Sequence, residues 1–324
     1  MQKLSNIPHV STQIMKWIHD FLMDRKQKVR IKGKLSYELP VTSGVPQGSV
    51  LGPTLFLAYI NDLPDHVDCD ISLFADDTLI YQVVNNAQDK LRFQNNVYAL
   101  QQWANMCCMS FNVDKCSVLP FNQTPTSPDT NYVLDGTILE TVQETRYLGV
   151  ILQSDLKFNN HVHSKIGKAK KQLGMIKRAL RDAPASARLL AYTSLCRPHV
   201  EYAASVWDTT LDYLINDIEM VQHNAIRFIS TRKGRDSVTA AREKLELETL
   251  ADRRTKIRHA LLLRLLSHEE NNESLTYAYD ELINDRPANV AVIRAVTRGD
   301  PPTIYAKRRS EERRVGKECR SRWS

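Results

Sequence analysis

Two adjacent carboxylates, Asp76 and Asp77, interrupt the apolar run Ile71-Ser72-Leu73-Phe74-Ala75-Asp76-Asp77-Thr78-Leu79-Ile80-Tyr81. Residues 71–75 and 78–81 each have the length and side chains of a short buried strand. The simplest fold for the run is a hairpin with both acids at its tip. Like charges repel, so core packing gives no reason to pair them there. A divalent cation does, because Mg²⁺ is held by one or two carboxylates together with substrate phosphates. The competing reading is a solvated turn, since Asp is common in turns.

The 324 residues, 42% hydrophobic and 25% charged, suffice for one large core or two moderate ones. No apolar run approaches the roughly 18–20 residues of a membrane span. Gln2-Lys3-Leu4-Ser5-Asn6 after Met1 does not read as a signal peptide. Cys69, Cys107, Cys108, Cys116, Cys196 and Cys319 form no Cys-x-x-Cys pair and no zinc-like spacing. They predict free thiols in a reducing compartment; the localisation expected is intracellular, nucleus and/or cytoplasm.

Charge is unevenly spread. Residues 1–160 carry 13 Lys/Arg and 16 Asp/Glu, whereas residues 161–260 carry 19 and 11. The middle segment is thus the candidate polyanion-facing part, with an ordinary basic helical surface as the alternative. Residues 309–324 (Arg309 to Ser324) have no hydrophobic period and read, codon for codon, as a translated sequencing-library adapter. They are set aside as an artefact.

Ser11 is placed to cap a helix carrying Ile14, Met15, Ile18, Phe21 and Leu22. Lys26 to Lys34 predicts an exposed basic hairpin around Gly33, with Tyr37 to Val41 as partner. The loop Thr42 to Pro53 has three Gly and two Pro, and Pro53 suits the first position of a helix bearing Leu55, Phe56, Tyr59, Ile60 and Leu63. Phe93, Val97, Leu100, Ala104 and Cys107 recur at helical spacing. Phe111 to Phe121 predicts a strand, Asn122 to Asp129 a loop, and Asp135-Gly136 a hairpin turn. Tyr147 to Leu152 reads as another short strand. From about residue 160 the pattern is helical: Ile166, Ala169, Leu173, Ile176 and Leu180 line one face, followed by helices over 185–196, 211–230 and 242–266. The fold class expected is α+β, followed by an all-α part.

The order of these features resembles the reverse transcriptase domain of non-LTR (LINE-type, jockey-like) retrotransposons. Ser43-Gly44-Val45-Pro46-Gln47-Gly48-Ser49-Val50-Leu51-Gly52-Pro53 resembles that family's template- and nucleotide-contacting loop. Phe74-Ala75-Asp76-Asp77 resembles its catalytic hairpin, and Trp103, Asn112, Asp114 and Lys115 the motif that follows. Tyr147-Leu148-Gly149-Val150 resembles its primer-gripping hairpin, and residues 160 to about 300, with Tyr202 and Trp207, its thumb. A group II intron maturase is a more distant cousin.

The resemblance implies a partial right-hand palm over residues 1–158 (loop 42–53, catalytic hairpin 71–81, primer grip 146–152) and a helical thumb over 159–308. It implies nucleotidyl transfer assisted by two Mg²⁺ or Mn²⁺ ions, with an RNA template, a DNA primer and dNTPs as partners and no membrane. Asp76 and Asp77 would be metal ligands. Lys115 would bring charge to the leaving pyrophosphate, a solvated strand-edge lysine being the alternative. Gly44, Pro46, Gln47 and Gly48 would approach template and nucleotide, and Tyr147, Leu148 and Gly149 the primer. Lys165, Lys168, Lys171 and Lys177 would hold phosphates.

The family's third carboxylate comes from a strand upstream of the loop, in a Phe-x-x-x-Asp type motif. Met1 to Leu4 corresponds to sequence beyond it, and Asp20 and Asp24 lie on the next helix. The expectation is a truncated palm with an exposed sheet edge and no polymerase activity. In-frame DNA upstream of Met1 encoding that motif would mark an enzyme fragment. A non-enzymatic remnant binding RNA or RNA–DNA hybrid is the other reading.

Overall fold

The computed structural model describes residues 2–5, 7, 10–121, 129–230, 237–267 and 290–296. The chain forms two compact units, residues 1–142 with 285–324, and residues 143–284. No helix among the described residues is long and apolar enough to cross a membrane. The adapter-like tail lies outside the described residues.

The first unit opens with α1 (Gln2–Ser5) and α2 (Thr12–Leu22). Ser11 caps α2 as expected, its Oγ accepting from the Ile14 N–H at 3.3 Å. Of the predicted apolar face only Ile18 is buried; Ile14 is exposed and Met15, Phe21 and Leu22 are half-buried. The basic stretch forms a two-tier ribbon. β1 (Lys26–Gln27) pairs with β4 (Leu39–Pro40), and within it β2 (Arg30–Ile31) pairs with β3 (Lys34–Leu35). α3 (Leu51–Ile60) starts two residues before Pro53, so Pro53 is its third residue rather than its first. The position is tolerated because first-turn N–H groups have no intrahelical partner.

β5 (Asp70–Phe74) and β6 (Asp77–Val83) form the expected hairpin, and α4 (Ala87–Met106) covers one of its faces. Phe93, Val97, Leu100 and Ala104 join Ile71, Leu73 and Ile80 in one core. The strand expected over 111–121 is shorter. Residues 113–115 form a 3₁₀ turn, in which the Cys116 N–H bonds to the Val113 carbonyl, and β7 spans only Ser117–Phe121. Of the predicted loop 122–129, residues 122–128 lie outside the described residues. Asp135-Gly136 turns β8 (Val133–Leu134) into β9 (Thr137–Ile138), both turn residues having positive φ as a type I′ turn requires. β10 (Glu140–Thr141) runs parallel to β7.

In the second unit, residues 147–152 are not the single strand read from the residues alone but part of a hairpin, as the resemblance implied. β11 (Glu144–Tyr147) and β12 (Val150–Gln153) form a hairpin, because Leu148 and Gly149 adopt φ 46° and 81° and reverse the chain. Read above with the palm, this hairpin belongs to the helical unit, tied to it by backbone and side-chain bonds described below. α5 (Asn159–Ala179) buries Val162, Ile166, Ala169, Leu173 and Ile176. α6 (Ala185–Ala191) runs into a π-helical turn over 192–196, followed by α7 (Ala204–Trp207) and α8 (Asp212–Ile229). The helix expected over 242–266 is two, α9 (Val238–Lys244) and α10 (Leu250–Ser267). The chain breaks where Glu246 takes φ 53° and the Thr249 Oγ1 accepts from the Asp252 N–H at 3.0 Å.

The last described segment corrects the all-helical expectation. β13 (Val290–Val296) is a strand of the first unit, antiparallel to both β6 and β7, giving the order β10-β7-β13-β6-β5. Ile293 faces Ile80 on one side and Val118 on the other, and all three are fully buried. The run Val-Ala-Val-Ile-Arg-Ala-Val is rich in β-branched residues, which suit a half-buried pleated surface. β13 lies inside the sheet, whose edges are β5 and β10.

Candidate active site and nucleic-acid interface

Phe74 pairs directly with Asp77, so the hairpin turn is Ala75-Asp76. Ala75 has φ 52° and is only 3% exposed. A positive φ at the first central position is usually given to glycine, and an L-residue there costs roughly 1–2 kcal/mol. Ile71, Leu73, Thr78 and Ile80 are buried, while Ser72, Phe74, Asp77, Leu79 and Tyr81 are half-exposed. The two acids are therefore not equivalent. Asp76 sits in the turn, and Asp77 opens β6 on the face away from the core; both are half-buried.

Lys115 is brought to the same end of the sheet. Asp77 pairs with Val296 of β13, and Arg294 of β13 pairs with Ser117 of β7. Lys115 lies two residues before Ser117, in the 3₁₀ turn that leads into β7, so it stands at the end of the sheet where Asp77 pairs with Val296. Its side chain is exposed. β13 contains no carboxylate. Among the described residues no three His, Cys, Asp or Glu side chains gather closely enough to hold a metal ion.

The loop 42–53 is closed on itself. The Ser49 Oγ donates to the Pro46 carbonyl at 2.7 Å and accepts from the Gly52 N–H at 3.0 Å. A Cβ on Gly52 would lie 2.8 Å from that carbonyl, so only glycine fits. Gly44 and Gly48 have φ 72° and 77°; with Gln47 they are exposed, and Pro46 is half-buried. The Arg25 Nη2 donates to the carbonyls of Gly44 at 2.6 Å and Ser43 at 3.3 Å. Nothing local in the sequence signals this tether, because its partners are backbone atoms eighteen and nineteen residues on.

In the second unit the Leu148-Gly149 turn meets Tyr202, whose hydroxyl donates to the Leu148 carbonyl at 2.8 Å. A Cβ on Gly149 would stand 3.3 Å from the Tyr202 ring. Behind the turn, the Ile151 N–H donates to the Nδ1 of the fully buried His161 at 2.9 Å. Lys165 Nζ lies 4.9 Å from the Tyr202 ring centroid. Burial, with the nearby charges of Lys168 and Arg146, holds the Lys165 ammonium below the usual lysine range. The turn, Lys165, Lys168 and Arg146 thus form one basic cluster. Arg146 was missed in the sequence; its only signal is its place in the strand beside Tyr147. At 100° per residue, Lys177 leaves α5 on the opposite flank of the buried stripe, and exposed Lys171 lies farther around from it than Lys168. The four lysines do not form one patch.

Residues 2–152 match the family model described as reverse transcriptase (RNA-dependent DNA polymerase). The chain is 27% identical over 265 residues to the RNA-directed DNA polymerase from mobile element jockey of Drosophila melanogaster, covering 78% of this chain and 29% of that protein. The corresponding protein of Drosophila funebris is 29% identical, covering 68% of this chain and 25% of its own length. The probable RNA-directed DNA polymerase from transposon X-element of Drosophila melanogaster is 27% identical, covering 72% and 27%. The chain therefore spans less than a third of each of these relatives. No solved structure matches it. The chain carries a reverse transcriptase domain homologous to the RNA-directed DNA polymerases of jockey-type non-LTR retrotransposons.

Proposed function

We propose that this chain is the palm and thumb portion of an RNA-directed DNA polymerase of a non-LTR retrotransposon, acting inside the cell, in nucleus or cytoplasm, on an RNA template, a DNA primer and dNTPs. The observation that carries this reading is the Asp76–Asp77 tip, built on a buried left-handed Ala75 within the stretch matching the reverse transcriptase family. Exposed Gly44, Gln47 and Gly48, with half-buried Pro46 beside them, face template and incoming nucleotide. Tyr147, Leu148 and Gly149 support the primer end. Lys165 and Lys168, with Arg146, hold the hybrid backbone without reading sequence, and Lys171 and Lys177 add outlying contacts. Lys115 brings positive charge to the end of the sheet where pyrophosphate would leave.

Mg²⁺ or Mn²⁺ suits paired carboxylates and would neutralise charge on the triphosphate and the primer hydroxyl. Asp76 and Asp77 supply only part of such a donor set. The strand beside Asp77 brings no acid, and among the described residues no third ligand stands near. The described residues do not make a complete two-metal site. As it stands, the chain binds template–primer and does not extend it.

Primer extension on an RNA template with Mg²⁺, alongside hybrid binding across a salt series, tests this. The expected result is salt-sensitive, sequence-tolerant binding with no extension. Extension that is abolished by Asp76→Asn would overturn the binding-only part. Failure to bind hybrid at low salt would overturn the whole reading.

A further inference from the structure

The first 50 residues carry eight Lys/Arg against three Asp/Glu, and residues 51–160 carry five against thirteen. Averaged over 1–160, this contrast disappears. Six of the eight cations, Arg25, Lys26, Lys28, Arg30, Lys32 and Lys34, fall on the β1–β4 ribbon or at its base. Apolar side chains are interleaved with them and left in solvent: Val29, Ile31, Leu35 and, at 81% exposure, Tyr37. Among the described residues, only Lys28 of these cations pairs with a carboxylate, Glu38 at 3.8 Å.

The ribbon has no core of its own, yet it is stitched. The Val29 N–H donates to the Ser36 Oγ at 3.0 Å, and the Ser36 N–H donates to the Val29 carbonyl at 2.9 Å. Its base is fixed to the loop 42–53, because the Val41 N–H bonds to the Arg25 carbonyl at 2.8 Å and the Arg25 guanidinium holds the Ser43 and Gly44 carbonyls. From Lys26 to Ile31, before the Lys32-Gly33 turn, the chain reaches at most about 17 Å, enough to pass two or three phosphates. Cations with exposed apolar and aromatic side chains suit a single strand, whose phosphates need charge and whose unstacked bases need a surface.

We propose that this ribbon is a second nucleic-acid contact, taking the unpaired RNA template strand adjoining the loop 42–53. The proposal rests on the reverse transcriptase reading above. Lys26, Arg30, Lys32 and Lys34 contact phosphates, and Tyr37 and Ile31 receive bases. Arg25 is a positioning residue that aims the ribbon from the Gly44 loop.

The test compares binding of a blunt RNA–DNA hybrid with the same hybrid bearing a single-stranded oligouridylate template overhang, by fluorescence anisotropy across a salt series. The variant Arg30→Gln/Lys32→Gln/Lys34→Gln alters exposed side chains and should leave circular dichroism and melting unchanged. The expected result is a loss of about tenfold or more on the overhang substrate. Its log–log salt slope should fall by about 2, at roughly 0.7 per single-strand phosphate contact, with blunt-hybrid affinity unchanged. Tyr37→Ala should weaken the overhang substrate without changing that slope. Equal losses on both substrates, or none on either, would overturn the proposal. Wild-type binding of blunt hybrid with no gain from the overhang would sink the ribbon alone; binding of neither substrate would sink the reverse transcriptase reading with it.

Discussion

His161 accepts the Ile151 N–H through its Nδ1 at 2.9 Å, joining α5 to the strand that follows the Leu148-Gly149 turn. Burial, then the charges of Lys165, Arg146 and Lys168, pushes this imidazole down to about 4, against about 6.5 in an unfolded chain. The unfolded chain takes up the proton first on acidification. Stability is therefore full above about pH 6.5, falls as pH drops toward about 4, and levels off below that, for a loss on the order of 3 kcal/mol. Urea unfolding across this window checks it, with His161→Asn, which keeps an acceptor and does not titrate, showing a flatter profile.

Gly149 combines φ 81° with a Tyr202 ring where its Cβ would go. Gly149→Ala should cost roughly 1–2 kcal/mol through backbone strain and crowding. Tyr202→Phe removes only the hydrogen bond to the Leu148 carbonyl and should cost about 1 kcal/mol or less. Thermal melts of the two variants should rank them in that order.

Ala75 should resist β-branching. Ala75→Val puts a branched side chain at a positive φ in a buried turn, and should lose about 2 kcal/mol or more. Ala75→Gly relieves the backbone while deleting one buried methyl, and should stay within about 1 kcal/mol of wild type. Denaturant midpoints for both variants decide the matter; a silent Ala75→Val would mean the turn is not strained.

On α5, position on the helix should matter more than charge count. Lys165→Gln/Lys168→Gln removes two members of the cluster beside the turn and should reduce the salt slope of hybrid binding by about 1–2. Lys177→Gln, on the opposite flank, should change it by less than half as much. Equal effects per lysine would show that the cluster has no special place in binding.

Features set by neighbours in sequence were legible. The Asp76–Asp77 hairpin, the Asp135-Gly136 turn and the buried stripes of α4 and α5 follow from periods of two and 3.6 and from turn chemistry. Features set by distant partners were not. β13 has a strand-forming composition, but nothing nearby says that it pairs between β6 and β7. Leu148 takes a left-handed φ that leucine does not advertise, so the residues alone read as one strand and only the resemblance implied the hairpin. Arg146 and Arg25 join the sites through partners that only the fold supplies. The ribbon's charge vanished into an average with the acidic stretch behind it.

The ladder joining Asp77–Val83 to Val290–Val296 spans roughly two hundred residues of chain. On a ribosome, β6 and β7 emerge long before β13 and cannot complete their sheet until it has been made, and the second unit can fold in the interval. Such high contact order makes closure slow, because loop entropy is lost before the long-range contacts are gained. Until then β6 and β7 present unpaired edges, so the Asp76–Asp77 hairpin is open to aggregation during synthesis.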